Sequence, residues 1–192
     1  MFNDKARLTQ LVMDGIKEMT RRFVPEKIEK TASMASSEKA ALEWMLRQSK
    51  YRVFEIVAIA QSYKDILEDM IERKGGYGEE ENDFFEKYSE TKGWNNKMFV
   101  KASVMPHHII ITDVKIERLQ DISDDDCLKE GVLHSTDYAM PYGIPDAKAP
   151  NGVFFYYSTP QEAFYALLGK VDTKGNNEDN PWVYVYSFKR ID

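Results

Sequence analysis

Cysteine is nearly absent: the 192-residue chain holds one, Cys127. That excludes an internal disulfide, and one thiol cannot by itself make a thiolate metal site. Histidine is almost as scarce, with three. His107 and His108 are adjacent, and strand neighbours point to opposite faces, so they do not share a metal; His134 stands alone. No metal and no cofactor is expected on these ligands. No apolar run reaches the ~18–20 residues of a membrane helix, so no membrane partner is expected. The opening MFNDKARLTQ lacks the apolar core of a leader, which predicts a cytoplasmic protein. Excess positive charge is missing too. The net charge is −6, which argues against a broad duplex-DNA-binding face, since such binding draws on many phosphate contacts. There is no Ser-His-Asp or Cys-His arrangement and no phosphate-cradling glycine loop; Gly75-Gly76-x-Gly78 sits among acids that repel phosphate.

What is present is an ordinary globular composition: 43% hydrophobic, 12% aromatic and 30% charged residues. The length suits one domain with insertions. Charge is uneven, with 14 basic against 12 acidic residues in 1–78 and 12 against 20 in 79–192. A small basic pocket for one nucleotide is compatible with that balance.

Leu8, Leu11, Val12, Ile16 and Met19 recur at helical spacing; the helix either runs on to Arg22 or stops at Asp14-Gly15, and the stop is the favoured reading. Lys17 to Val24 then reads as a strand, with Thr20 and Arg22 on one face and Met19 and Arg21 on the other. Residues 25–35 read as a polar loop. Ser36 or Ser37 caps a helix over Glu38–Gln48, residues 54–60 form a strand, and Asp65–Arg73 form a helix. The glycine-rich, acidic stretch after Lys74 reads as an exposed insertion. Met98–Val104 and Ile109–Leu119 read as strands. Ser123 caps a short helix to Glu130, stopped by Gly131. Residues 132–158, with Pro141, Pro145 and Pro150, read as a long connection. Thr159-Pro160 opens a helix to about Lys170, and residues 172–180 read as a polar turn. Pro181–Lys189 alternates, with Trp182, Tyr184, Tyr186 and Phe188 on one face and Val183, Val185 and Ser187 on the other. This is an α+β chain whose final strand is internal.

Chemistry concentrates in Asp14-Gly-Ile-Lys-Glu-Met-Thr-Arg-Arg22. A lysine in a poorly solvated pocket holds its proton less tightly and can serve as a base. Thr20 offers a hydroxyl nucleophile, and Glu130 an acid or a partner for Lys17. Composition alone also describes a helix end with solvated charges. Asp124-Asp125-Asp126 complement the dipole of the helix they open; a hard-cation site is the alternative. The aromatic stripe of the final strand reads as core, with a base-stacking platform as the alternative.

Gly15-x-Lys17-x-x-Thr20-x-Arg22 resembles the signature of the ASCH domain, a family of the PUA-like superfamily. VAIAQSY, ITDVKIERLQDISDDDCLKEGV and TPQEAFYALLG…NPWVYVYSFKRI resemble, in order, segments of ASCH-like proteins of bacteriophages and bacterial prophages. The resemblance spans residues 1–192 as one domain, except for insertions near 25–50, 65–93 and 133–158. It implies a PUA-like mixed β-barrel of about five to seven strands with flanking helices, and an RNA or a small nucleoside or nucleotide as ligand. One branch hydrolyses 4-acetylcytidine with a lysine, a threonine and a glutamate, which fall on Lys17, Thr20 and Glu130 as catalytic residues. The motif arginine falls on Arg22, with Arg21 beside it as a second ligand contact. The chain departs from that branch at Glu18, where the branch has threonine, in its greater length, and at Phe54, where relatives carry glycine. Two functional expectations follow. One is an RNA- or modified-nucleoside-binding protein, hydrolytic if Lys17, Thr20 and Glu130 converge. The other is a noncatalytic phage or prophage accessory or protein-interaction module.

Overall fold

A computed structural model of the chain describes residues 2, 4–136, 139–149, 153–171 and 179–192. A 3-10 turn over Asp4–Ala6 leads into α1 (Leu8–Met13), β1 (Met19–Phe23), α2 (Glu26–Ala32), α3 (Glu38–Arg47), β2 (Ile56–Ala58), α4 (Tyr63–Lys74) and α5 (Glu79–Tyr88). Two 3-10 turns, Lys97–Phe99 and Ala102–Val104, precede β3 (His108–Arg118). A further 3-10 turn, Leu119–Asp121, leads to α6 (Asp124–Lys129), β4 (Leu133–His134), β5 (Tyr142–Pro145), β6 (Val153–Tyr157), α7 (Pro160–Val171) and β7 (Trp182–Arg190). The class is mixed α+β. No helix among the described residues is long and apolar enough to cross a membrane. The chain divides into two compact units: a smaller one of Ile56–Ile109 with Phe2 and Ile191–Asp192, and a larger one of residues 4–55 and 110–190.

In the larger unit β7 lies between β1 and β3. It pairs antiparallel with β1, from Met19 opposite Ser187 to Phe23 opposite Val183. Because side chains alternate across a strand, this register sorts both strands into two faces. One face carries Tyr184 and Tyr186, buried with Val24, Ala32 and Met45 and packed by Leu42, Trp44, Val114 and Ile116. The tyrosine hydroxyls are satisfied there: Tyr184 donates to the Met45 carbonyl at 2.9 Å, and Tyr186 is bonded to Ser49 Oγ at 3.0 Å. The alternating aromatics are therefore core, not a stacking platform. Val183 and Val185 are equally buried on the other face. A second sheet, β4-β5-β6, is antiparallel throughout.

Local signals explain most boundaries. Gly15, at φ +69°, ends α1, and the N–H groups of Gly15 and Ile16 donate back to Val12 and Leu11. Ser37 Oγ accepts from Ala40 N–H at the start of α3. In the smaller unit, Ser62 and Asp65 cap α4 reciprocally. There too, β2 lies beside the start of β3, where Ile59 N–H donates to the His107 carbonyl at 2.8 Å. His107 meets Asp69 and Arg73 through Nε2, but its Nδ1 also lies 3.7 Å from Asp192 Oδ1, and His108 Nδ1 lies 2.7 Å from Asp192 Oδ2, so both rings approach one carboxylate.

Four readings of the sequence are corrected. Residues 25–35 contain α2, because Ile28 and Ala32, one turn apart, pack on the tyrosine core; two apolar positions are too thin a stripe to read. The segment after Lys74 is largely exposed, as expected, but it is not an irregular loop. Glu79–Tyr88 is helical, Tyr88 stacks on Tyr63 with ring centroids 4.1 Å apart, and Phe85 sets its ring edge against Trp94 at 5.4 Å. Residues 98–104 form the two 3-10 turns, the first started by Asn96 accepting from Met98 N–H. The connection 132–158 contains β4, β5 and β6, with Pro145 at an irregularity of the β5–β6 ladder where its missing N–H is tolerated. Pro150, and 172–178 of the expected polar turn, lie outside the described residues.

Phe54 is 79% exposed yet held at φ +70°, a left-handed conformation that suits glycine, and its N–H is pinned to the Ile111 carbonyl at 2.8 Å. Strain of ~1–3 kcal/mol outweighs the ~0.5–1 kcal/mol of extra chain entropy that glycine brings to the unfolded state. Phe54→Gly should raise the unfolding free energy by about 1 kcal/mol in urea denaturation. A variant no more stable than the parent would show that the turn is unstrained.

Candidate functional site

Lys17 lies in the link between α1 and β1, and Glu130 is the residue that closes α6. Three backbone constraints bring them together. Ile16 and Lys17 N–H both donate to Leu11 O at 2.9 Å; Glu18 N–H donates to Lys129 O; and Phe188 N–H donates to Glu18 O at 2.9 Å. Gly131 sits directly after Glu130 at φ +107°, where a Cβ would stand 3.1 Å from Leu11 Cδ1 and 3.7 Å from Lys17 Cδ. Glycine there lets α6 turn sharply while the lysine stem passes close by.

The Lys17 ammonium is 2% exposed and Glu130 5%. Lys17 Nζ donates to Glu130 Oε2 at 2.8 Å, to the Glu130 carbonyl at 2.5 Å and to the Met19 carbonyl at 2.7 Å. Its three N–H groups are thus all engaged. Burial pushes Lys17 below the ordinary lysine value; Glu130 pulls the other way, and Arg22 and Arg21 push it down further. The engaged ammonium has no lone pair to offer. Lys17 becomes a base only after passing a proton to an acceptor such as Glu130.

Arg21 enters the same network from β1. It is 3% exposed and meets three carboxylates: Glu130 Oε1 at 3.3 Å, Asp126 Oδ2 at 3.0 Å, and Glu117, which it grips through both Nε and Nη2. Burial opposes its charge, but Glu130 and Glu117 overcome that and hold the guanidinium above the ordinary arginine value. Lys115 Nζ joins at the rim, 2.7 Å from Glu117 Oε2 and 45% exposed.

The expected residues are therefore only partly gathered. Lys17, Glu130 and Arg21 converge. Thr20 is buried opposite Tyr186 in the β1–β7 register, so its hydroxyl is on the tyrosine face, across the strand from Arg21. Arg22 shares that face, is exposed, and donates to the Arg21 carbonyl at 3.0 Å. Glu117 and Asp126 were missed by the reading of the sequence. Alternation along β3 carried the signal for Glu117, since Lys115 and Glu117 interleave with the core residues Val114 and Ile116. The sequence offers Asp126 as a capping-box partner of Ser123, a complement to the α6 dipole or part of a cation site, and none of these foretells its pairing with Arg21. Asp124 instead accepts from Gln161 Nε2. No group of three or more His, Cys, Asp or Glu side chains placed to hold a metal occurs among the described residues.

Cys127 lies one position from Asp126, is fully buried, and its thiol is pushed up to about 12 from an ordinary 9.0, chiefly by burial. The unfolded chain therefore loses this proton first. The stability it contributes is complete below pH 9 and is lost as pH rises from about 9 toward 12. At pH 8 in native buffer the thiol should react with a disulfide reagent at least about a hundredfold slower than in denaturant, because reaction requires opening. Rapid native labelling would show that α6 frays.

Comparison with known proteins finds no matching family model, no similar curated protein and no similar solved structure.

Proposed function

We propose that the chain is an ASCH-like module of the PUA-like superfamily that binds RNA or a modified nucleoside at the β1–α6 network without hydrolysing it. The observation that carries this reading is the meeting of Lys17 and Glu130, 113 positions apart, in a buried ion pair. Burying two charges costs several kcal/mol in desolvation, and an apolar pair would often serve stability equally well, so such a network points to a site rather than to a need for stability. The pair also falls on the positions that the motif resemblance assigns. Binding is favoured over hydrolysis by Thr20, whose hydroxyl faces away from the network, and by the Lys17 ammonium, whose protons are all engaged. In this reading Lys17 and Arg21 fix the carboxylates, which accept from a base edge, and the rim cation Lys115 meets phosphate.

The test is an amide NMR titration with 4-acetylcytidine and with cytidine monophosphate, alongside chromatographic assay of acetate release. Saturable shifts confined to residues 17–22, 115–117 and 126–131, with no acetate formed, are expected. Absence of saturable shifts there overturns the proposal. Acetate release abolished by Thr20→Ala would replace it with the hydrolytic reading.

A further inference from the structure

The smaller unit carries a second candidate contact surface. Lys92-Gly-Trp-Asn-Asn-Lys-Met-Phe-Val-Lys101 has three lysines and no carboxylate, in a chain of net charge −6. Its backbone is firmly held: Tyr63 and Lys64 N–H donate to the carbonyls of Gly93 and Trp94 at 3.0 and 3.1 Å. Gly93 packs so tightly that a Cβ would stand 2.4 Å from the Tyr63 ring. Yet this fixed frame turns apolar side chains outward, Met98 at 65% and Phe99 at 56% exposure, with Phe85 at 43% against Trp94. Lys92 lies over the Phe99 ring, 5.9 Å from its centroid. Lys92 and Lys101 have no carboxylate partner among the described residues.

We infer that residues 92–101 form a contact surface for single-stranded RNA, with Phe99 as the stacking platform and Lys92 and Lys101 meeting the flanking phosphates. Exposed rings interleaved with cations are what a single strand needs, since every base offers a face and every linkage a charge. A preformed frame loses little entropy on binding. A membrane surface fits less well. Interfacial binding calls for a helix with a broad apolar face, and the only helical turn described within residues 92–101 is the short 3-10 turn Lys97–Phe99. The choice of RNA rests on the function proposed above; the surface is built from residues of the smaller unit and the β1–α6 network from residues of the larger.

Fluorescence anisotropy with a labelled oligouridine of about 12 nucleotides tests it, a length within the range such sites cover. Phe99→Ala should weaken binding roughly 5- to 100-fold, the loss of one stacked base. Phe99→Leu, which keeps apolar bulk, should bind as weakly as Phe99→Ala. Lys92→Gln with Lys101→Gln should lower the log–log salt slope by about 1.4, or ~0.7 per phosphate contact. Binding that survives Phe99→Leu, no binding by the parent chain, tighter binding of oligothymidine, or binding to phosphatidylserine vesicles in place of RNA would each overturn the inference. Loss on Lys115→Ala with Phe99→Ala unaffected would overturn it while sparing the β1–α6 reading. Loss on Phe99→Ala, with no nucleoside shifts at residues 17–22, would uphold this surface and overturn that reading.

Discussion

Replacing Lys17 with Met should lower the unfolding free energy by about 3–5 kcal/mol in urea denaturation, a large share of the stability of an ordinary domain. Methionine fills the space of the lysine stem, so packing changes little. What is lost is the nearer of two counter-charges to Glu130, whose buried carboxylate is left with Arg21 alone, together with a donor to two carbonyls. Adding Glu130→Gln to Lys17→Met should recover part of the loss, because the amide removes the stranded charge. A double variant as unstable as the sum of its parts would show that the penalty is one of packing. The linkage has a definite sign. Since burial holds Lys17 below its ordinary value of 10.5, the unfolded chain keeps this proton at pH values where the folded chain releases it. The Lys17 contribution to folding thus improves as pH rises toward 10.5, opposite to that of Cys127.

Arg21→Met should cost a similar ~3–5 kcal/mol, because Glu117, Asp126 and Glu130 all turn toward one guanidinium. The informative variant is Arg21→Lys. It keeps the charge but replaces a planar fork, whose separate nitrogens reach three spaced carboxylates, with a single nitrogen that lacks that spacing. It should fall between the parent and Arg21→Met, with a loss of at least about 1.5 kcal/mol, the value of a charged hydrogen bond. Arg21→Lys indistinguishable from the parent in denaturant midpoint would show that net charge alone, without the fork, holds the network.

Local chemistry made much of this legible. Gly15 and Gly131 as stops, the Ser37 and Ser123 caps, and the alternation of Trp182–Phe188 each settle on a few neighbouring residues, and each appears in the structure. The same alternation separated Met19 and Arg21 from Thr20 and Arg22, which the register with β7 upholds. That separation already told against a site using both Lys17 and Thr20, but the motif resemblance drew them together. What stayed hidden depends on distant partners. α2 turns inward only because Tyr184 and Tyr186 wait beneath Ile28 and Ala32. α5 is held by Tyr63, outside the acidic segment whose composition suggested a loop. The three carboxylates around Arg21 come from β3 and α6, about a hundred positions on, and nothing near Arg21 foretells them.

The position of β7 has a kinetic consequence. β1 completes its ladder only with β7, Met19 against Ser187, so its edge stays open until nearly the whole of the larger unit's sequence is at hand. Closing so long a loop delays the reward of pairing, which places this sheet among slow, high-contact-order folders. The smaller unit draws almost entirely on one continuous stretch, Ile56–Ile109, and can gather its contacts early. Its flanks are joined at the base by the reciprocal bonds of Phe54 and Glu55 with Ile111. An early-folding insert of this kind acts as a splint: it shortens the effective loop between residues 55 and 110 and reduces the search that the surrounding sheet must complete.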